Sequence, residues 1–97
     1  MIEVIKFGAE WCAPCKAIAP TMEALKKKYD EIEGSDISII SIDIDENPEL
    51  GEKYKVRNIP TIVFIKDGEV MEKKVGVLNE SQIEERIKTL RVLESKK

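Results

Sequence analysis

Cys12 and Cys15 are the only cysteines in the chain, and just Ala13 and Pro14 separate them. With two residues between them, one helical turn can hold both sulfurs within bonding reach. The segment Trp11-Cys12-Ala13-Pro14-Cys15-Lys16 lies where a β-branched run gives way to a helical pattern. Cys12 is therefore expected at a helix N-terminus, where unsatisfied N–H groups and the macrodipole stabilise an anion. A thiolate there is available and exposed, as a nucleophile must be. Cys15 should point inward, placed to attack a mixed disulfide formed at Cys12. Pro14 stiffens the turn and donates to neither sulfur. Spacing and placement together point to thiol–disulfide exchange.

Two other readings of a close cysteine pair compete with this one. Half of a zinc site is the first, but zinc takes four ligands and the chain has no histidine and no further cysteine. Two copies would have to share their pairs to close such a site. A structural disulfide is the second, and across so small a loop it would stabilise little.

The composition narrows the classes further. Without histidine, Ser-His-Asp and Cys-His catalysis and histidine-ligated haem are excluded. Charged residues make up 36% and apolar ones 42%, the balance of a soluble globular chain. Its 97 residues suit one domain, 1–97, with 94–97 expected to fray. The net charge of −3 argues against nucleic-acid binding, because only Lys26-Lys27-Lys28 clusters and acidic residues follow. No apolar run reaches the roughly 18 residues of a membrane span. The segment Met1 to Ile5 lacks the pattern of a signal peptide. A cytoplasmic location is expected, where thiols stay reduced and a lone cysteine pair is more often redox-active or metal-binding than structural.

The elements that must position the pair follow from local patterns. Ile2 to Phe7 is short and β-branched, which predicts a strand. From Lys16, Ile18, Met22, Leu25 and Tyr29 recur at helical intervals, with Pro20 inside expected to kink the helix. Ile37 to Ile44 predicts a second strand, parallel to the first through a right-handed crossover. Asn47-Pro48 predicts a capped short helix to about Tyr54. Thr61 to Lys66 and Glu69 to Val75 predict a hairpin turning at Asp67-Gly68, with Gly76 interrupting the strand near its end. Ile83, Ile87, Leu90 and Leu93 mark a last amphipathic helix, opened by Asn79 and Gln82 as a capping pair. The order is β-α-β-(α)-β-β-α, an α/β arrangement with one four-stranded mixed sheet covered by helices.

The segment Phe7-Gly8-Ala9-Glu10-Trp11-Cys12-Ala13-Pro14-Cys15-Lys16 resembles the active-site stretch of the thioredoxin family, with alanine where glycine is usual. Ile18-Ala19-Pro20 resembles its kinked helix. Ile42-Asp43-Ile44-Asp45-Glu46-Asn47-Pro48 resembles its central strand and turn, and Asn58-Ile59-Pro60-Thr61 its cis-proline loop. Phe64 to Val70 resembles the last hairpin, and Lys74-Val75-Gly76 the glycine site opposite the active centre. The matches are collinear from about residue 2 to residue 90.

The resemblance implies a thioredoxin-like fold and reduction of protein disulfides, with Cys12 attacking and Cys15 resolving. It implies a cis bond before Pro60, and an apolar substrate surface of Trp11, Ala13, Pro14, Ile59, Pro60, Val75 and Gly76. No metal or organic cofactor is implied beyond the cysteine pair. The partners implied are disulfide-containing proteins, with a separate thioredoxin reductase or glutathione as electron donor, and the chain acting as a monomer. Two alternatives stand beside this: a thioredoxin-fold binding subunit of a larger complex, and a glutathione-linked, glutaredoxin-like reductase.

Three departures from the family pattern bear on the site. The chain starts at the active-site strand, so the sheet should have four strands. Gly8 stands where the family usually has an aromatic or small residue, leaving one side less covered. Lys6 takes the place of a buried aspartate beneath the pair. Alternation puts Lys6 on the face of Ile2 and Val4, so its stem is expected to run inward, with the ammonium either snorkelling to solvent or lying beneath the cysteines. Asp43 on the neighbouring strand is its nearest candidate partner.

Overall fold

The computed structural model describes residues 1–92, and Leu93 and the expected frayed end at 94–97 lie outside them. The elements run β1 (Ile2–Gly8), α1 (Ala13–Asp30), β2 (Ile37–Asp43), α2 (Pro48–Lys53), β3 (Thr61–Lys66), β4 (Glu69–Val75) and α3 (Glu80–Val92). They build one four-stranded sheet in the order β2-β1-β3-β4, with β1 parallel to β2 and the other pairs antiparallel.

The sheet is covered on both faces, as the burial of its two middle strands requires. Ile2 and Val4 of β1 and Ile62 and Phe64 of β3 pack with Ile18, Met22 and Leu25 of α1 and Ile83, Ile87 and Leu90 of α3. On the opposite face, Ile5, Phe7, Val63 and Ile65 pack under Leu50, Tyr54 and Val56 around α2. β3 feeds both layers, so its residues 61–65 are all buried. A strand buried on both sides reads as a continuous apolar run rather than an alternating one.

Local chemistry explains most element ends. At the hairpin, Asp67 and Gly68 both adopt positive φ, 52° and 84°. A type I′ turn needs that, and its twist matches the flanking strands. Pairing of Phe64 with Glu72 and of Ile65 with Val70 leaves Met71 as a bulge in β4. Before α3, the Asn79 and Gln82 backbone N–H groups donate to each other's side-chain oxygens at 2.9 and 2.8 Å, the reciprocal cap expected.

The first helix begins at Ala13, which puts Cys12 at its N-terminus as expected, and runs through Pro20 to Asp30. Pro14 is tolerated in its first turn because the N–H it lacks would have no partner there. Asn47 and Pro48 open α2 as expected, with Asn47 in the N-cap position, but the Asn47 side chain makes no capping bond; its amide instead donates to the Asp43 carbonyl at 3.3 Å.

Candidate active site at the start of α1

Cys12 is the N-cap of α1, in extended backbone conformation, and Cys15 lies in the first turn. The pair forms a disulfide with Cα atoms 5.2 Å apart. The Cys15 backbone N–H donates to Cys12 Sγ at 3.3 Å, so one of the helix's unsatisfied donors is aimed at that sulfur. The turn before it is tied by Cys12 N–H to the Ala9 carbonyl at 3.2 Å, and the end of β1 by Ile44 N–H to the Gly8 carbonyl at 3.0 Å. The helix start is thereby anchored to the two parallel strands.

One expectation about the nucleophile is overturned. Cys12 is 5% exposed, nearly as buried as Cys15 at 3%. The two sulfurs and Ala9 form a small apolar cluster against which Ile44 and Ile59 pack. Ile59 arrives from a loop distant in the chain, so nothing in the residues around Cys12 signals this cover.

Around the pair, Trp11, Ala13 and Pro14 are exposed, Ile59 and Gly76 half-buried, Val75 exposed and Pro60 buried. The Ile59–Pro60 bond is cis. The Pro60 carbonyl accepts from Gly76 N–H at 2.9 Å, joining the loop to the end of β4. Thr61, the one buried polar residue among the described residues, donates its hydroxyl to the Asn58 carbonyl. Trp11 leaves 69% of its surface exposed. Its indole Nε1–H donates to Asp45 Oδ2 at 2.8 Å. Sequence reasoning did not find Asp45 as this anchor, since the two residues lie on loops that meet only through the β1–β2 pairing.

Lys6 and Asp43 both border a cavity behind Cys15, but they do not pair. The register sets Lys6 opposite Ser41 and Gly8 opposite Asp43. Asp43 closes on its own chain instead, its Oδ1 accepting Asp45 N–H at 2.8 Å. The expected Lys6–Asp43 partnership is therefore corrected: a carboxylate at a strand end is captured by the turn that follows. Among the described residues no cluster of three or more acidic, histidine or cysteine side chains could hold a metal ion.

The thioredoxin family model matches residues 2–89. Thioredoxin from Staphylococcus epidermidis is 44% identical over 75 residues, covering 77% of this chain and 68% of its own. Thioredoxin from Bacillus subtilis is 44% identical over 79 residues, covering 81% and 72%. Among solved structures, Fasciola hepatica thioredoxin superposes with a TM-score of 0.77 at 40% identity, over 91% of this chain and 79% of that one. A mutant thioredoxin from Halobacterium salinarum gives 0.79 at 34% identity, over 97% and 78%.

Proposed function

This chain belongs to the thioredoxin family and is a thiol–disulfide oxidoreductase, and from that premise we propose that it reduces disulfides of protein substrates in the cytoplasm as a monomer, with Cys12 attacking and Cys15 resolving. The observation that carries the assignment is the asymmetry of the two sulfurs: Cys12 caps α1 and receives a backbone N–H, while Cys15 sits one turn inside. A sulfur that accepts a hydrogen bond at a helix N-terminus is the better thiolate and the better leaving group.

The exchange proceeds in two displacements. The Cys12 thiolate attacks one sulfur of the substrate disulfide, forming a mixed disulfide and releasing the other substrate sulfur as thiolate. Cys15 then loses its proton and attacks Cys12 Sγ. The Cys12–Cys15 bond forms, the Cys12–substrate bond breaks, and the second substrate thiolate departs. Two electrons have passed to the substrate, and a separate reductase or glutathione returns the pair to the dithiol. Trp11, Ala13, Pro14, Ile59, Val75 and Gly76 are proposed to receive the substrate segment. Trp11, Ala13, Pro14 and Val75 are exposed, and half-buried Ile59 packs on the disulfide itself, so a bound substrate would exclude water from the exchange. A docking subunit without turnover is not favoured, because such a role has no use for a bonded pair placed at a helix N-terminus.

Insulin-type turbidity with a thiol reductant tests turnover. Cys15→Ser is expected to accumulate a mixed disulfide with substrate, whereas Cys12→Ser accumulates none. Equal trapping by the two variants, or turnover by either, would reverse the assignment of roles.

A further inference from the structure

The inner face of β1 changes character along its length. Ile2 and Val4 are sealed in the core. Lys6 and Gly8, next on the same face, border a cavity of about 330 Å3 whose walls include Cys15 and Ala19 of α1 and Ser41 and Asp43 of β2. Exposed Glu10, Lys16 and Ser41 form part of its lining, so it opens to solvent. A Cβ built on Gly8 would lie 3.0 Å from Cys15 Sγ and 3.7 Å from Lys6 Cε. The space left by the missing side chain therefore borders both the buried sulfur and the lysine stem.

Lys6 is half-buried and makes no hydrogen bond or ion pair among the described residues. The other charges bordering the cavity are Glu10 from the turn before α1, Lys16 from α1 and Asp43 from the end of β2. Asp43 is already engaged by a backbone N–H. β3 contributes no charge opposite Lys6, where its partner is Ile62. An unpaired ammonium in a space shared with a thiol favours the thiolate, and low polarity around the sulfur strengthens that effect.

We propose that Lys6 is a positioning residue for the second displacement: across the space left by Gly8, its ammonium stabilises the thiolate that forms at Cys15. The Cys15 thiol gives its proton to solvent in the cavity, and the thiolate attacks Cys12 Sγ. The departing substrate thiolate takes up a proton in turn, so the cavity supplies the proton route and Lys6 the compensating charge. This inference rests on the reductase reading for its role in turnover, but the acidity it concerns can be read without any substrate.

The test is a pH titration of the reduced protein with 13C at the cysteine Cβ positions, in wild type and in Lys6→Met, Lys6→Arg and Lys16→Met. Lys6→Met is expected to raise the Cys15 midpoint by about one unit, equivalent to about tenfold less thiolate at a given pH below it. Lys6→Arg should stay close to wild type, and Lys16→Met should shift Cys15 less than half as far as Lys6→Met. Resolution of a preformed mixed disulfide by Lys6→Met should slow by less than about tenfold, because a less acidic thiol is also a stronger nucleophile. Lys6→Gln repeats the measurement should the methionine variant not fold. A Cys15 midpoint unchanged in the neutral variants, an arginine variant that behaves like methionine, or an equal shift in Lys16→Met would each overturn the proposal. A wild type that titrates as expected but reduces no disulfide would instead overturn the functional reading.

Discussion

The two halves of the inner face of β1 obey opposite packing rules. At the Ile2–Val4 end the space between sheet and helices is filled by Ile18, Met22, Leu25, Ile83 and Ile87, each 1% exposed or less. At the Lys6–Gly8 end, further along the same strand, a charged stem and a missing side chain leave a cavity beside a cysteine. The filled half provides rigidity, since close-packed side chains cannot shift without losing contacts. The hollow half leaves the buried sulfur beside a cavity that opens to solvent. Cys15 stands on α1 at the hollow end, so the packed half of that helix holds the reacting sulfur in place.

The sharpest way to separate the halves is to damage each alone. Leu25→Ala at the filled end should lower unfolding stability by about 2–5 kcal/mol, the range for a buried leucine that leaves a cavity. Denaturant titration should show an earlier midpoint at unchanged slope. The dithiol–disulfide equilibrium of the folded variant should match wild type, and a large shift there would show that the halves are not independent.

Gly8→Ala puts a single methyl group into the hollow end. Its Cβ would meet Cys15 Sγ at 3.0 Å and Cys15 Cβ at 3.1 Å. Contacts that close force one partner to move, at a cost of about 1 kcal/mol, the low end for overpacking. Equilibration against a reference dithiol should show the variant displaced towards the reduced form, several-fold at most. An unchanged equilibrium would mean that the clearance behind Cys15 has no bearing on the disulfide.

The smallest effect is expected far from the cavity, where Lys28 of α1 meets Glu84 of α3. The hydrogen bond from Lys28 holds the Glu84 carboxyl below its ordinary range. A carboxyl depressed by folding adds stability above its unfolded pKa, and that contribution is lost as pH falls through the lower folded value. Glu84→Gln should therefore be slightly less stable than wild type at neutral pH, and the gap should close in acid. Thermal melts across that range check the sign. A gap that widened in acid would contradict the assigned cause, and any effect on thiol acidity would mean the two ends communicate.

How much of this was legible in the chain depends on the distance over which each feature is encoded. The Cys12–Cys15 spacing, the helix that follows it, the Asp67-Gly68 turn and the Asn79–Gln82 cap are each written within a few residues. They were readable because backbone geometry and hydrogen-bond reach act over that range. The parallel pairing of β1 with β2 followed as well, since a strand, a helix and a strand leave few other connections. The remaining features depend on meetings between distant segments. Cys12 is buried because Ile59 and Ile44 come to it from two other loops. Trp11 is held because the strand pairing brings Asp45 beside it. Asp43 is withheld from Lys6 by its own turn, and the space between Lys6 and Cys15 exists because α1 docks over a glycine. Residue types and spacings determined which groups could react. Tertiary packing decided what covers each of them, because burial and electrostatic surroundings are properties of the segments that converge on a residue rather than of the residue's own neighbours in the chain.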